Sequence, residues 1–361
     1  MSALLLTGGL TASVAQQPAA APSGGHAMHA APAPAQGPWT KLAPFPEPAE
    51  EVLGAVAGGK LYVFAGLAPG WKPKALVFEY DPAANKWAQK KPMPVASHHV
   101  AFAALNNKIY AFGGFSLPAG GPPQWVPVDQ AWEYDPAADS WKALAPMPHK
   151  RGAAGAAVAN GKIYVVGGVG IPAGSSQTGL TQPGPQDVTG RVDEYDPATN
   201  SWTQKASMPT ARNHHVVAAV NDKIYAIGGR IGTAFITVGS SNIGSVEEYD
   251  PATDRWSGAK ARMPTPRSAV GFGVHNGRIY VAGGEYQDDK MLAAYKVVEA
   301  YEPATNRWHA VPAMQFPRHG LASGVIGNRL HLVSGDVQSA GNGGEVHVDH
   351  HDVLALDVVS R

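Results

Sequence analysis

The sequence predicts an all-β protein: a six-bladed β-propeller whose last blade is closed by its own N-terminal strand. Three observations predict it: a tryptophan returning at a nearly constant interval, a fixed order of turn residues within each interval, and two unequal ends that complete one another. The tryptophans stand at Trp39, Trp87, Trp141, Trp202, Trp256 and Trp308, which are 48, 54, 61, 54 and 52 residues apart. Another 53 residues reach the C-terminus, so 361 residues hold six units.

Each unit repeats the same parts. It opens on Met-Pro or Phe-Pro, at Phe45-Pro46, Met93-Pro94, Met147-Pro148, Met208-Pro209, Met263-Pro264 and Phe316-Pro317. A stretch rich in Ala, Val and Gly follows, small enough for a strand crowded around an axis. Asn106-Asn107, Asn160-Gly161, Asn221-Asp222 and Asn276-Gly277 then supply residues that tolerate positive φ in a tight hairpin. An apolar strand runs into a glycine pair (109–114, 163–168, 224–229, 279–284), with one glycine kept in the first and sixth units, Gly66 and Gly335. A variable loop leads to Tyr-Asp-Pro or a near copy at Tyr80, Tyr134, Tyr195, Tyr249 and Tyr301, and the Trp strand ends the unit. The sixth unit lacks a Trp strand after Leu354-Ala355-Leu356-Asp357, whereas the chain offers an orphan Trp39-Thr40-Lys41-Leu42. The orphan strand is expected to close the ring.

Glycine pair, Tyr-Asp-Pro and Trp, in this order six times, resemble the kelch-repeat family, and the resemblance covers residues 36–361. It implies four-stranded twisted sheets, none able to bury both faces alone, stacked radially so that each has two neighbours. It is similar in architecture to the galactose oxidase propeller, whose radical site needs a Tyr joined to a Cys. The sequence contains no cysteine, so that mechanism is excluded. The architecture is also similar to bacterial N-acetylneuraminate epimerase, which implies a sugar-acid mutarotase, an isomerase, as the leading enzymatic alternative to a binding protein.

Twenty-eight basic and 28 acidic residues balance, which excludes a dominating field for nucleic acid. Residues 1–15 read as a signal peptide: an apolar run over 3–10 precedes Ser13-Val14-Ala15, although no Lys or Arg stands before it. Residues 16–37, of Ala, Pro, Gln and Gly, read as a linker, and 38–361 as the propeller. A periplasmic or extracellular monomer without a membrane span is therefore expected.

Loops that lead into the innermost strands and loops after the glycine pairs emerge on one face, around the channel mouth, where function is expected. Aligned on the opening proline, with a two-residue slip in the sixth unit, one position reads Ala49, Ser97, Arg151, Arg212, Arg267, Arg318. The next two read Glu50, His98, Gly152, Asn213, Ser268, His319 and Glu51, His99, Ala153, His214, Ala269, Gly320. Two readings of the arginines stand: bonds to blade backbone that fix blade spacing, or a site for a small acidic ligand. On the second reading Arg151, Arg212, Arg267, Arg318, His98, Asn213 and His319 bind the ligand through forked donors. Glu50, Glu51, His99 and His214 are then the candidate acids and bases.

The last blade's loop carries Glu345, His347, Asp349, His350, His351 and Asp352, donors suited to Zn²⁺ or Cu²⁺. The segment His26-Ala27-Met28-His29 is a weaker copper candidate. The repeat itself requires no cofactor. Trp71 and Trp125, on long loops, are expected either to stack on a sugar ring or partner, or to pack their loops down. The leading expectation is a secreted protein binding a small acidic ligand or a protein partner at the loop face; a metal-binding propeller is the second alternative.

Overall fold

The third repeat shows how local sequence becomes a blade. Asn160 and Gly161, at φ 50° and 72°, turn Gly155–Ala159 into Lys162–Val166, and the outer strands Val192–Asp196 and Ser201–Lys205 follow in sequence order. Small residues fill the innermost strand because it meets the innermost strands of both neighbouring blades. The computed structural model describes residues 37–120, 123–182, 184–236, 241–287, 291–339 and 345–359. The expected signal segment, the His26–His29 segment and, apart from Gly37, the linker lie outside the described residues.

Six such sheets are present, their innermost strands Glu50–Ala57, Ala101–Leu105, Gly155–Ala159, Val216–Val220, Gly271–His275 and Ala322–Ile326 forming a closed ring. The last blade draws its outermost strand from the other end of the chain, with Trp39 opposite Leu354, Thr40 opposite Val353 and Lys41 opposite Asp352. Apart from a helical turn at Leu356–Val359, the described residues are strands, turns and loops.

The conserved-looking order of residues within each unit has a mechanical basis. Tyr195 donates to Asn200 Oδ1 at 2.8 Å, and the same oxygen accepts from the backbone of Ala145 in the preceding blade at 2.9 Å. Trp202 Nε1 returns a bond to the Ala145 carbonyl at 2.9 Å. The clamp recurs with Tyr80 and Asn85, Tyr134 and Asp139, Tyr249 and Asp254, and Tyr301 and Asn306. Each clamping Asn or Asp sits near φ +50°, a backbone region these short polar side chains tolerate.

The glycine pair is a docking device. Gly168 N bonds the carbonyl of Arg212 in the next blade at 2.9 Å, and a Cβ on Gly167 would stand 2.7 Å from that oxygen. The sixth blade keeps one glycine because Ser334 replaces the first; its hydroxyl donates to Ala49 O at 2.8 Å across the closure.

Between blades six and one, His331 Nδ1 and His351 Nε2 share a hydrogen bond of 2.9 Å against the rings of Tyr80 and Trp87. Burial pushes their pKa values from 6.5 down to about 4 and about 3. The unfolded chain therefore binds more protons between those values and pH 6.5, so their neutral forms favour folding above about pH 6.5 and lose that advantage as pH falls toward about 4. Each contributes a slope of at most about 1.4 kcal/mol per pH unit. Urea unfolding between pH 7 and 5 should show a shallower loss of stability in His351→Gln than in the parent; equal slopes contradict this. Asn200→Ala should cost about 1–3 kcal/mol in the same assay, because Ala145 N and the Tyr195 hydroxyl lose their acceptor.

Candidate functional site

Each innermost strand has a left-handed residue at its entrance, Glu51 within the first strand and His99, Ala153, His214, Ala269 and Gly320 two positions before the others, at φ between 51° and 57°. These residues are linked by backbone hydrogen bonds that run around the axis. Ala153 N bonds His99 O, His214 N bonds Ala153 O, Ala269 N bonds His214 O, and Gly320 N bonds Ala269 O, at 2.9–3.1 Å; Val52 N continues to Gly320 O at 3.2 Å. Each blade thereby brings one such position to the mouth of the channel, with a side chain from every blade but the sixth, where it is Gly320.

A second ring surrounds the first. The residue after each glycine pair bridges the residue preceding the left-handed one: Phe115 with His98, Val169 with Gly152, Arg230 with Asn213, Glu285 with Ser268 and Asp336 with His319. Leu67 pairs with Glu50 in the first blade. Read around the propeller, this ring is Leu67, Phe115, Val169, Arg230, Glu285, Asp336. Blades one to three supply apolar groups and blades four to six supply charges.

The two rings enclose a buried cluster. Arg230, 2% exposed, donates to Ser268 Oγ at 3.0 Å, to the Ala234 carbonyl at 3.1 Å through Nε, and to Glu285 Oε1, and it lies 2.9 Å from His214 Nε2. His99 Nε2 stands 3.3 Å from Glu51 Oε2. His319 Nε2 lies 3.5 Å from Glu50 and 3.7 Å from Glu285. Both oxygens of Glu50, Oε2 of Glu285 and both ring nitrogens of His319 are buried without a hydrogen-bond partner.

The electrostatics divide these groups. Burial, reinforced by Glu285 and Glu50 and opposed by His319 and Arg230, pushes the Glu51 carboxyl from 4.5 up to about 8. Burial alone would lower His319, but Glu285, Glu50 and Glu51 outweigh it and raise the imidazole to about 10. Burial, with Arg230 nearby, drives His99 and His214 well below 6.5, so both are neutral.

Three cavities lie in line. The axial channel, with about 120 Å³ open to water-sized molecules, is lined by Glu51, His99 and His214 and by innermost-strand residues of all six blades. A chamber of about 50 Å³ is bounded by Glu50, Glu51, His99, Arg230 and Glu285 and roofed by Trp71, Trp125 and Phe235. Glu51 and His99 line both and stand between them. Outside the chamber, Trp71, Trp125 and Phe235 also border a groove of about 290 Å³ with Leu117, Pro123, Leu180 and Thr181. Trp125 and Phe235 approach to 4.5 Å between ring centres, and Trp125 lies 4.8 Å from His98 and from His99. Trp125 packs on His98, His99 and Phe115 of its own blade, and Trp71 and Phe235 extend it into a shared roof over the mouth.

The arginine series is corrected by this geometry. Arg151 bonds the carbonyls of Gly167 and Val165 and pairs with Asp193 at 2.7 Å. Arg212 reaches Thr210, Gly228 and Ser245 carbonyls and Glu247 at 2.6 Å. Arg267 bonds Gly283, Thr265 and Val281 carbonyls and Glu299; Arg318 bonds Ser334 and His350 carbonyls and Asp352 at 2.6 Å. All four are within 1% of complete burial, and none lines the channel or the chamber. These guanidiniums are buried within their own blades and bonded there, Arg318 Nε alone lacking a partner, so they do not present forked donors to an acidic ligand at the mouth. His98 and Asn213 are also turned inward: His98 Nδ1 contacts His99 Nδ1, and Asn213 bonds Thr233 O and His214. His319, Glu50, Glu51, His99 and His214 do meet at the mouth.

The loop metal set is corrected as well. His347 Nε2 faces Asp336 and Glu50, at 3.8 and 4.0 Å. His351 is held by His331, Asp352 by Arg318, and His350 packs on Phe316, while Asp349 is exposed. Held by these separate partners, the loop's donors do not converge on one ion. Arg230, Glu285 and Asp336 escaped the sequence reading. Their signal is the position after the glycine pair, where charge replaces an apolar residue in the last three units.

Two kelch models match the chain: the kelch motif over 52–94 and 96–148, and the KLHDC2/KLHL20/DRC7 kelch-repeats domain over 179–335. Kelch-like protein terF of Aspergillus terreus is 28% identical over 59% of this chain and 44% of its own length. Kelch-like protein 25 of Xenopus tropicalis is 30% identical over 56% of this chain and 32% of its own, and beta-scruin of Limulus polyphemus is 29% identical over 58% and 22%. The chain spans less than half the length of these relatives. The solved structure of YjhT superposes with a TM-score of 0.68 over 86% of this chain and 95% of that one, at 18% identity, which is a likeness of fold.

Arg267→Ala should lower the unfolding free energy by about 3–5 kcal/mol, since Glu299 and three carbonyls lose a buried partner. Urea unfolding measures this, and a change under 1 kcal/mol would contradict the stapling role.

Proposed function

This chain belongs to the kelch-repeat β-propeller family, and from that premise we propose that it is an extracytoplasmic binding protein whose mouth chamber takes the donor-rich end of a small polar ligand. Kelch propellers commonly bind partners, and the apolar run over 3–10 with Ser13-Val14-Ala15 supports export.

The carrying observation is the excess of unmet acceptors under the aromatic roof. Glu50 and Glu285 present buried oxygens with no hydrogen-bond partner, while the one guanidinium that lines the chamber, Arg230, is already engaged by Glu285, Ser268 and Ala234. Such a site favours hydroxyl or amine donors over a carboxylate, because an added anion would meet the buried carboxylates that line the chamber, where the one guanidinium is already paired. About 50 Å³ admits a group of a few atoms, so the rest of the ligand would lie in the outer groove against Trp71, Trp125 and Phe235, where a sugar ring or alkylamine can stack. The sugar-acid mutarotase reading loses the arginines it needed; Glu51 and His99 remain as a possible acid–base pair for a neutral sugar.

Thermal-shift screening of the full chain against neutral sugars, alkylamines and sugar acids tests the reading. Ligand at 100 times its dissociation constant stabilises by about 2.7 kcal/mol. A rise in Tm is expected with a neutral sugar or an amine, none with sugar acids, and the rise should vanish in Trp71→Ala and Glu51→Gln. A shift with sugar acids alone would restore the anion reading. No shift with any small molecule, together with binding of a Lys-bearing peptide, would make the occupant a protein side chain.

A further inference from the structure

Among the described residues, three groups of His and carboxylate bring their donor atoms within 4.8 Å of one another. They differ in what already occupies those donors. In Glu51–His99–His214, both nitrogens of His214 are engaged, Nδ1 by Asn213 and Nε2 by Arg230 at 2.9 Å. In Glu51–Glu285–His319, Glu285 is paired with Arg230. A guanidinium in contact with a ligand repels a dication.

The third group, Glu50–Asp336–His347, has no Arg or Lys in contact with it among the described residues; its one cationic neighbour is His319, 3.5 Å from Glu50, and it lies where blade one meets blade six. Glu50 and Asp336 are each 1% exposed, and the His347 side chain is 6% exposed. Neither oxygen of Glu50 accepts a hydrogen bond, and His347 Nε2 is likewise unpartnered. The nearest nitrogens to Glu50 are His319 Nε2 at 3.5 Å and His347 Nε2 at 4.0 Å, beyond hydrogen-bond reach. Asp336 is held rigidly: Gln338 N donates to Oδ1 at 2.9 Å and Val346 N to Oδ2 at 2.7 Å, leaving lone pairs free. The one cationic imidazole beside Glu50, that of His319, is shared with Glu285, so buried negative charge is left over that a further cation would offset.

We propose that Glu50, Asp336 and His347 bind a divalent transition-metal ion of the zinc type at the edge of the chamber. The donor set is one nitrogen and two carboxylate oxygens, whose charges offset the ion's. The nitrogen disfavours calcium and magnesium. Ligand atoms about 2.0–2.2 Å from zinc stand about 3.3–3.5 Å apart in a tetrahedron. The observed 3.8 and 4.0 Å from His347 to Asp336 and Glu50 require a few tenths of an ångström of closure by His347 and Glu50, and the Glu50–Asp336 edge, within 4.8 Å, closes with them. Three protein ligands leave a fourth position, and since Glu50 also lines the chamber, that position faces the ligand site. The metal site shares Glu50 with the binding reading but does not rest on it.

Calorimetric titration of the chelator-treated full chain with zinc chloride is the test. One equivalent per chain is expected, weakened at least about tenfold by His347→Gln and by Glu50→Gln, and unchanged in Glu51→Gln. Far-ultraviolet circular dichroism and Tm of each metal-free variant establish folding; if one variant does not fold, the other carries the comparison, and Asp336→Asn, which keeps an acceptor oxygen, stands behind both. Absence of a stoichiometric site in the parent overturns the proposal, as does zinc binding that survives these substitutions, which would place the ion elsewhere. Zinc binding without any sugar or amine response removes the ligand reading alone; a sugar or amine response without zinc binding removes the metal alone.

Discussion

Six twisted sheets can close into a ring only if their innermost strands start at a common level, and a chain of backbone hydrogen bonds sets that level. It runs from Val52 through Gly320, Ala269, His214 and Ala153 to His99, linking five of the six blade junctions. Each link requires a left-handed residue at the head of the strand. For Ala153 and Ala269 this conformation costs on the order of 1 kcal/mol, since neither has glycine's freedom or a polar side chain that bonds locally. The same conformation turns the side chain toward the axis. The strain that registers the blades thus also selects which six residues can meet a ligand.

Charge is handled in two ways a short distance apart. Arg151, Arg212, Arg267 and Arg318 are buried, yet every one has a carboxylate and two or more carbonyls, so their charge is spent inside the blade. At the mouth the accounting is left open: Glu50, Glu51, Glu285 and Asp336 face Arg230 and a set of imidazoles, and several oxygens and ring nitrogens have no partner. Fully satisfied polar groups stiffen a structure, whereas buried unsatisfied ones mark where a ligand, an ion or water completes it.

The mouth is also lopsided. Leu67 lines the chamber from blade one beneath Trp71, Trp125 and Phe235, Phe115 and Val169 pack into the cluster under that roof, and Arg230 and Glu285 line the chamber from blades four and five. A repeat protein with six nearly equal blades has acquired an apolar wall and a polar wall. An amphipathic ligand is oriented by such a chamber without any change to the sheets that carry it.

The sequence by itself determined the blade count, the order of strands, the turn chemistry and the closure by Trp39–Lys41, because these follow from local rules repeated six times: Asn-Gly turns, glycine at crowded crossings, and alternating strands. It also identified the positions that reach the mouth, including Glu50, Glu51, His99, His214 and His319. The direction of each side chain was beyond it. Arg151, Arg212, Arg267 and Arg318 occupy the position before Glu50 and its equivalents, and on an alternating strand one residue's shift exchanges channel for blade interior. Nor could it find Arg230, Glu285 and Asp336 as site residues, or the convergence of His347 with Glu50 from nearly three hundred residues away. Those contacts exist only once the ring is closed, because the hydrogen bonds that bring the groups together join different blades.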